Sequence, residues 1–166
     1  RTSTETTREG IIKWSGFVDG FEGHPVDLVR SGSNVFGKVV HGDHVYVIQN
    51  VSSSLIAVQE VDRVAPAPCG NDGTLSVPKA VEHGPVITTP SLTRAATIDV
   101  MVAYTKDAKL GAGLGFAFIG NIMIKLQIEL AVLEMNNALR RSDVRHRVRL
   151  VHTMEVDGSD IEKEGS

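Results

Sequence analysis

A chain of 166 residues has room for one ordinary domain, or for one domain and part of another. Its composition, 42% hydrophobic and 22% charged, is that of a folded globular protein and excludes a disordered one. A formal net charge of −3 offers no basic field for nucleic acid, and a single cysteine excludes an internal disulfide.

Residues 1–10 are polar and rich in Thr and Glu, which predicts a disordered N-terminal segment. No charged-then-apolar leader follows Arg1, so the expectation is a removed signal peptide or a piece of a longer product. Residues 11–62 then alternate short strand-type segments with turn chemistry. The segments are 11–19, 26–30, 35–41, 45–49 and 55–61. Gly23-His24-Pro25, Ser31-Gly32-Ser33-Asn34, Gly42-Asp43 and residues 50–54 separate them. This spacing predicts an antiparallel β-rich domain, a meander or half-barrel, with Gly42-Asp43 at a tight hairpin turn.

Residues 63–96 change character. Pro66, Pro68, Pro78, Pro85 and Pro90, with Gly70, Gly73 and Gly84, exclude a helix and leave little strand pattern. The stretch is expected to be an irregular connector and a domain boundary, with its junction near Arg94.

The second unit, residues 97–166, opens with an apolar strand at 97–105. Ile98, Val100 and Val102 lie on one face and Met101 and Ala103 on the other, as in a sheet covered on both sides. A helix is predicted from about residue 121 to 141, with Asn121 as N-cap and a Lys125–Glu129 pair. Glu129, Glu134, Asn136 and Asn137 give it a wet side, and Arg140 and Arg141 suit its C-terminal dipole. A closing strand carries Arg145, Arg147 and Arg149 on one face and His146, Val148 and Leu150 on the other. Strand, helix, strand in this order is a parallel pair with a helical crossover. Two strands and one helix leave edges unpaired and the helix exposed, so the unit is expected to be the opening of a larger domain. The whole is α+β: a β-rich antiparallel domain, then an incomplete α/β unit.

Three blocks carry a family resemblance: Ile-Asp-Val-Met-Val-Ala-Tyr-Thr (98–105), Ile-Glu-Leu-Ala-Val-Leu-Glu-Met-Asn-Asn-Ala-Leu (128–139) and Val-Arg-Leu-Val-His (148–152). Together they resemble the start of the catalytic domain in bacterial secreted metzincin zinc proteases of the reprolysin-like and peptidyl-Asp type. Trp-Ser-Gly-Phe-Val (14–18), Val-Asp-Leu-Val (26–29) and Val-Phe-Gly-Lys-Val (35–39) are similar to that family's β-rich propeptide. The resemblance implies a secreted metalloendopeptidase precursor acting on peptides or proteins, with zinc in the full-length enzyme and a propeptide whose partner is its own catalytic domain.

Pro68-Cys69-Gly70 then resembles the loop by which such propeptides hold the enzyme latent, with the Cys69 thiolate as a metal ligand closing the open zinc position. By its immediate neighbours alone, Cys69 fits equally a buried inert thiol or a surface cysteine that pairs between chains. Under the resemblance, propeptide cleavage falls within residues 86–96, with Arg94 a candidate. The chain departs from the family in one decisive respect: it contains no His-Glu-x-x-His. Catalytic residues are therefore expected to be absent, and no zinc or other cofactor is expected on this chain alone. The bridge at 111–120 is also more apolar than the resemblance implies.

Weaker signals resolve into ordinary roles. His41-Gly42-Asp43-His44 is expected to place two exposed rings across a hairpin, not to chelate. His24, His83, His146 and His152 show no ligand spacing. Gly111-x-Gly113-x-Gly115 lacks the spacing of a dinucleotide loop, and the arginines between 140 and 149 fit a helix end and a solvated strand face. Asp99, Asp107 and Glu155 fit solvated or capping roles. Asn50-Val51-Ser52 matches a glycosylation sequon. The uncharged window 110–124 is shorter than the roughly 17–25 residues of a membrane span, so none is expected. The alternative to the protease precursor is a non-enzymatic secreted β-domain serving as an inhibitor or adhesion module.

Overall fold

The computed structural model of the protein describes residues 2–52, 54–61, 95–115 and 117–157, and these form one compact unit. Cys69 and the connector at 63–94 lie outside the described residues, as does the polar segment 158–166. The architecture is α+β: an antiparallel six-stranded sheet, a long helix preceded by a short one, and a two-stranded parallel sheet.

The antiparallel sheet is a meander, each strand pairing with the next: β1 (Ser3–Thr6), β2 (Ile12–Val18), β3 (Phe21–Ser31), β4 (Asn34–His41), β5 (His44–Asn50) and β6 (Ile56–Val61). All five expected strands are present. The N-terminal segment departs from expectation, because Ser3–Thr6 pairs with β2 from Ser3↔Ser15 to Thr6↔Ile12. Its side chains are all exposed, so backbone pairing orders it without any apolar signal in the sequence. Gly23-His24-Pro25 is also not the turn its composition suggests. The chain reverses at Asp19-Gly20, with Gly20 at φ 74°, and runs extended through Pro25. Pro25 pairs with Phe17 of β2, and pairing with β4 starts only at Val26↔Val39, so on the β4 side no ladder bond needs the missing N–H. Gly42, at φ 60°, makes the expected hairpin turn between His41 and His44.

The second half folds as β7 (Thr97–Thr105), α1 (Lys106–Ala112), α2 (Ala117–Arg141) and β8 (Arg147–Val156). β7 and β8 pair in parallel, as the strand–helix–strand order predicts. Within the glycine-rich bridge, residues 111–112 end α1 and residues 117–120 begin α2. Thr105 caps α1 by accepting from the Ala108 N–H at 3.1 Å, and Gly113 ends it. α2 starts at Ala117, so Asn121 lies inside the helix and is not its cap.

α2 is central. It packs on β2, β3 and β4 along one side and on β8 along another. The core joins Ile11 and Val29 of the meander region to Met123, Leu126 and Leu130 of α2, with Val102 and Leu150 of the parallel pair packed against them. The expectation of an exposed helix is therefore corrected. A period-3.6 pattern shows that a helix has an apolar stripe, but not that a separate sheet will cover it.

The parallel pair is covered on one face only, against the expectation of two. Val100, Val102 and Tyr104 are partly buried, while Met101 on the opposite face stays 58% exposed. Beyond Val100↔Leu150 the register shifts, so that Met101 pairs with His152 and Val151 is the extra residue. Val151 is left 54% exposed by this bulge.

Candidate functional site: the meander–helix interface

The densest polar constellation of the described residues lies where the meander meets α2. Alternation along β2 and β3 sends Lys13, Ser15, Asp27 and Val29 to the same sheet face, and that face meets the helix. Val29 is fully buried there. The others would be costly to bury unless paired, and each finds a partner on α2 or close to one.

Lys13 Nζ lies 2.6 Å from Glu129 Oε2, with each side chain only about a tenth exposed. That carboxylate oxygen makes no aligned hydrogen bond, so the contact is an ion pair in low dielectric. Asn137 donates from Nδ2 to Ser15 Oγ at 2.9 Å and to Asp27 Oδ1 at 2.7 Å, and Arg140 donates to Asn137 Oδ1. Asn137, Ser15 and Asp27 are all buried. At the rim, Lys38 of β4 pairs with Glu134 at 2.7 Å, both about one-third exposed.

These contacts overturn the wet side assigned to the helix. Glu129, Glu134 and Asn137 are its docking groups toward the meander. Asn136 serves β8 instead, donating to the Val148 carbonyl and accepting from the Val148 N–H, both at 2.8 Å. The amide thus acts as one residue of a neighbouring strand along β8. The expected Lys125–Glu129 pair does not form: Glu129 is taken by Lys13, and Lys125 sits 3.9 Å from Glu9. A sequence signal for this interface exists only in retrospect, as Lys13, Ser15 and Asp27 alternating on the inward face of two strands.

Beside the interface opens a cleft of about 480 Å³, lined by Glu9, Ile11, Ser31, Tyr104, Asn121 and Lys125 among others. Among the described residues no group of three or more His, Cys, Asp or Glu side chains is placed to hold a metal ion together. Cys69, the residue the sequence singles out, lies outside the described residues.

The remaining sequence candidates separate cleanly. Asn50 cannot serve as a sugar acceptor in the folded chain. It is 3% exposed, its Nδ2 donates to the Ser52 carbonyl at 3.0 Å, and its Oδ1 accepts from the Val35 N–H at 2.6 Å. Asp99 accepts twice from Arg149, at 2.7 and 2.8 Å, across the parallel pair. The hydrogen bond from Arg149 holds the Asp99 carboxyl below the usual carboxylate range. Glu155 pairs with Lys109, tying β8 to α1. His41 and His44 face each other across the hairpin as expected. His24, assigned no partner by spacing, meets His41. No helix among the described residues is long and apolar enough to cross a membrane. No family model, curated protein or solved structure matches the chain.

Proposed function

We propose that the chain is the propeptide and the N-terminal part of the catalytic domain of a secreted, zinc-dependent endopeptidase precursor of metzincin type. Residues 11–62 act as inhibitory or folding scaffold, and the complete enzyme acts on peptides or proteins. The observation that carries this reading is how the meander sits on the crossover helix. Beside the apolar core that the two share, this contact carries two ion pairs and a buried amide network, polar features more frequent at interfaces that part than in the interior of a domain. Cleavage within residues 86–96 breaks the covalent link between the two parts. A second support is the β7–β8 pair itself, a sheet of only two strands among the described residues, whose open edges suit continuation by further strands.

The groups that would hold zinc and activate water are not among the described residues, and no step of peptide hydrolysis runs through them. Cys69 enters as a latency ligand on the strength of the resemblance alone. The test is the coding sequence beyond Ser166 together with the full precursor. A His-Glu-x-x-His helix and zinc-dependent peptidase activity after cleavage are expected. A precursor without that motif overturns the enzyme reading and leaves the meander as a binding module. If Cys69→Ala leaves the precursor as latent as wild type, the cysteine is not the switch.

A further inference from the structure

At the end of the meander opposite β1, three rings converge on one sheet face: Phe21 and His24 of β3 and His41 of β4. His24 Nδ1 lies 2.7 Å from His41 Nδ1. Phe21 stacks on His24, with ring centroids 5.2 Å apart and planes 9° from parallel, and meets His41 edge-on at 5.1 Å. The backbone under both histidines is constrained. His24 precedes Pro25, which restricts it to extended conformations, and His41 enters the turn fixed by Gly42. The two nitrogens are thus held close by a stacked ring and two stiff backbone segments, with His41 exposed to solvent.

From this geometry we infer that His24 and His41 form a bidentate site for a divalent transition-metal ion of the copper type. Imidazole nitrogens bind such ions at about 2.0–2.1 Å, so a 2.7 Å separation subtends about 80° at the metal. That is close to the right angle between neighbouring ligands in tetragonal Cu²⁺ or Ni²⁺ geometry, and far from the tetrahedral angle zinc adopts. In the metal-free pair one Nδ1 must carry a proton to bond the other. On binding, that ring moves its proton to Nε2 and both Nδ1 lone pairs face the ion. The remaining coordination positions go to water, because no third ligating side chain joins the pair among the described residues. His44, across the hairpin, is held by Glu60, its Nδ1 lying 2.5 Å from the carboxylate. An ion so placed clamps the first turn of β3 to the end of β4.

The test is titration of the full 166-residue chain carrying Cys69→Ser, so that the thiol offers no competing ligand, with Cu²⁺, Ni²⁺ and Zn²⁺, read by calorimetry and, for copper, by electron paramagnetic resonance. One saturable site is expected, with hyperfine structure from two nitrogens and affinity falling in the order Cu²⁺, Ni²⁺, Zn²⁺. His24→Gln and His41→Gln should each weaken copper binding at least about tenfold, since even changes around a ligand cost that much. His152→Gln should leave it unchanged. Melting curves in a chelator confirm that each variant folds. A copper signal unaltered in both His24→Gln and His41→Gln overturns the site, and so does a His44→Gln loss as large as theirs. Zinc binding tighter than copper overturns the tetragonal assignment.

Discussion

Lys13 and Glu129 approach within 2.6 Å with little water around them, so neither can lose its partner cheaply. Lys13→Met should lower unfolding free energy by about 3–5 kcal/mol, because it leaves the Glu129 charge buried and unpaired. The double variant Lys13→Met, Glu129→Leu should recover most of that loss, since an apolar pair replaces an ionic one. Urea denaturation of the three proteins checks both expectations, and a single-variant cost under about 1 kcal/mol would show the pair to be solvated. Asp99 and Arg149 are the contrasting case, exposed and screened. The Asp99 pKa is depressed in the fold, so its contribution to stability is present above the unfolded value of about 3.9. It is lost as pH falls through the lower folded value. An NMR titration should place the Asp99 midpoint below that of an ordinary aspartate, and Arg149→Gln should restore it. These pairings were not legible in the sequence, where Glu129 had a nearer Lys125 at helical spacing. Burial decided otherwise: Lys13 is sequestered with Glu129, whereas Lys125 points to solvent.

Among the elements, α1 and α2 meet through a glycine whose importance the sequence conceals. A Cβ on Gly120 would lie 2.4 Å from the Lys109 carbonyl oxygen, a backbone atom that cannot turn aside. Gly120→Ala gains helix propensity of about 1 kcal/mol but forces the two helices apart, so a net loss of about 1–3 kcal/mol is expected. Gly111, exposed in α1, has open space where its Cβ would be, and Gly111→Ala should stabilise by about 0.5–1 kcal/mol. Thermal melts of the two variants should shift in opposite directions. The strands of the meander were legible because alternation and turn residues are local signals. The start of α2 and the whole of α1 were not, because Gly111, Gly113, Gly115 and Gly120 weaken a helical pattern that tertiary packing restores. Pro25 misled for a similar reason: whether a proline ends a strand depends on which edge is paired, and composition does not record pairing.

On the scale of the whole molecule, the α+β class and the parallel crossover followed from the order of apolar segments. The seating of the meander on α2 did not, since it depends on polar groups whose partners lie more than a hundred residues away. The opposite face of the β7–β8 pair leaves Met101, Val151 and Met154 largely exposed beside open strand edges. As a 166-residue polypeptide the protein should therefore self-associate as concentration rises. Val151→Lys should reduce that tendency in light scattering without lowering the melting temperature, because the bulge residue is more than half exposed and lies outside the core cluster. Unchanged association in this variant would move the sticky surface elsewhere.

The unbroken order of the meander also bears on how the molecule comes to be folded. Every strand in it joins its immediate successor, so each pairing closes a short loop and forms early. β7 and β8 cannot pair until both helices between them are placed, and α2 cannot dock until the chain has spanned residues 62–94. During synthesis the N-terminal sheet can thus be complete before β8 exists, and α2 emerges to find its polar template already in place. Docking, which joins groups more than a hundred residues apart, is the step expected to be slowest, and the ionic face of the sheet favours one side of the helix.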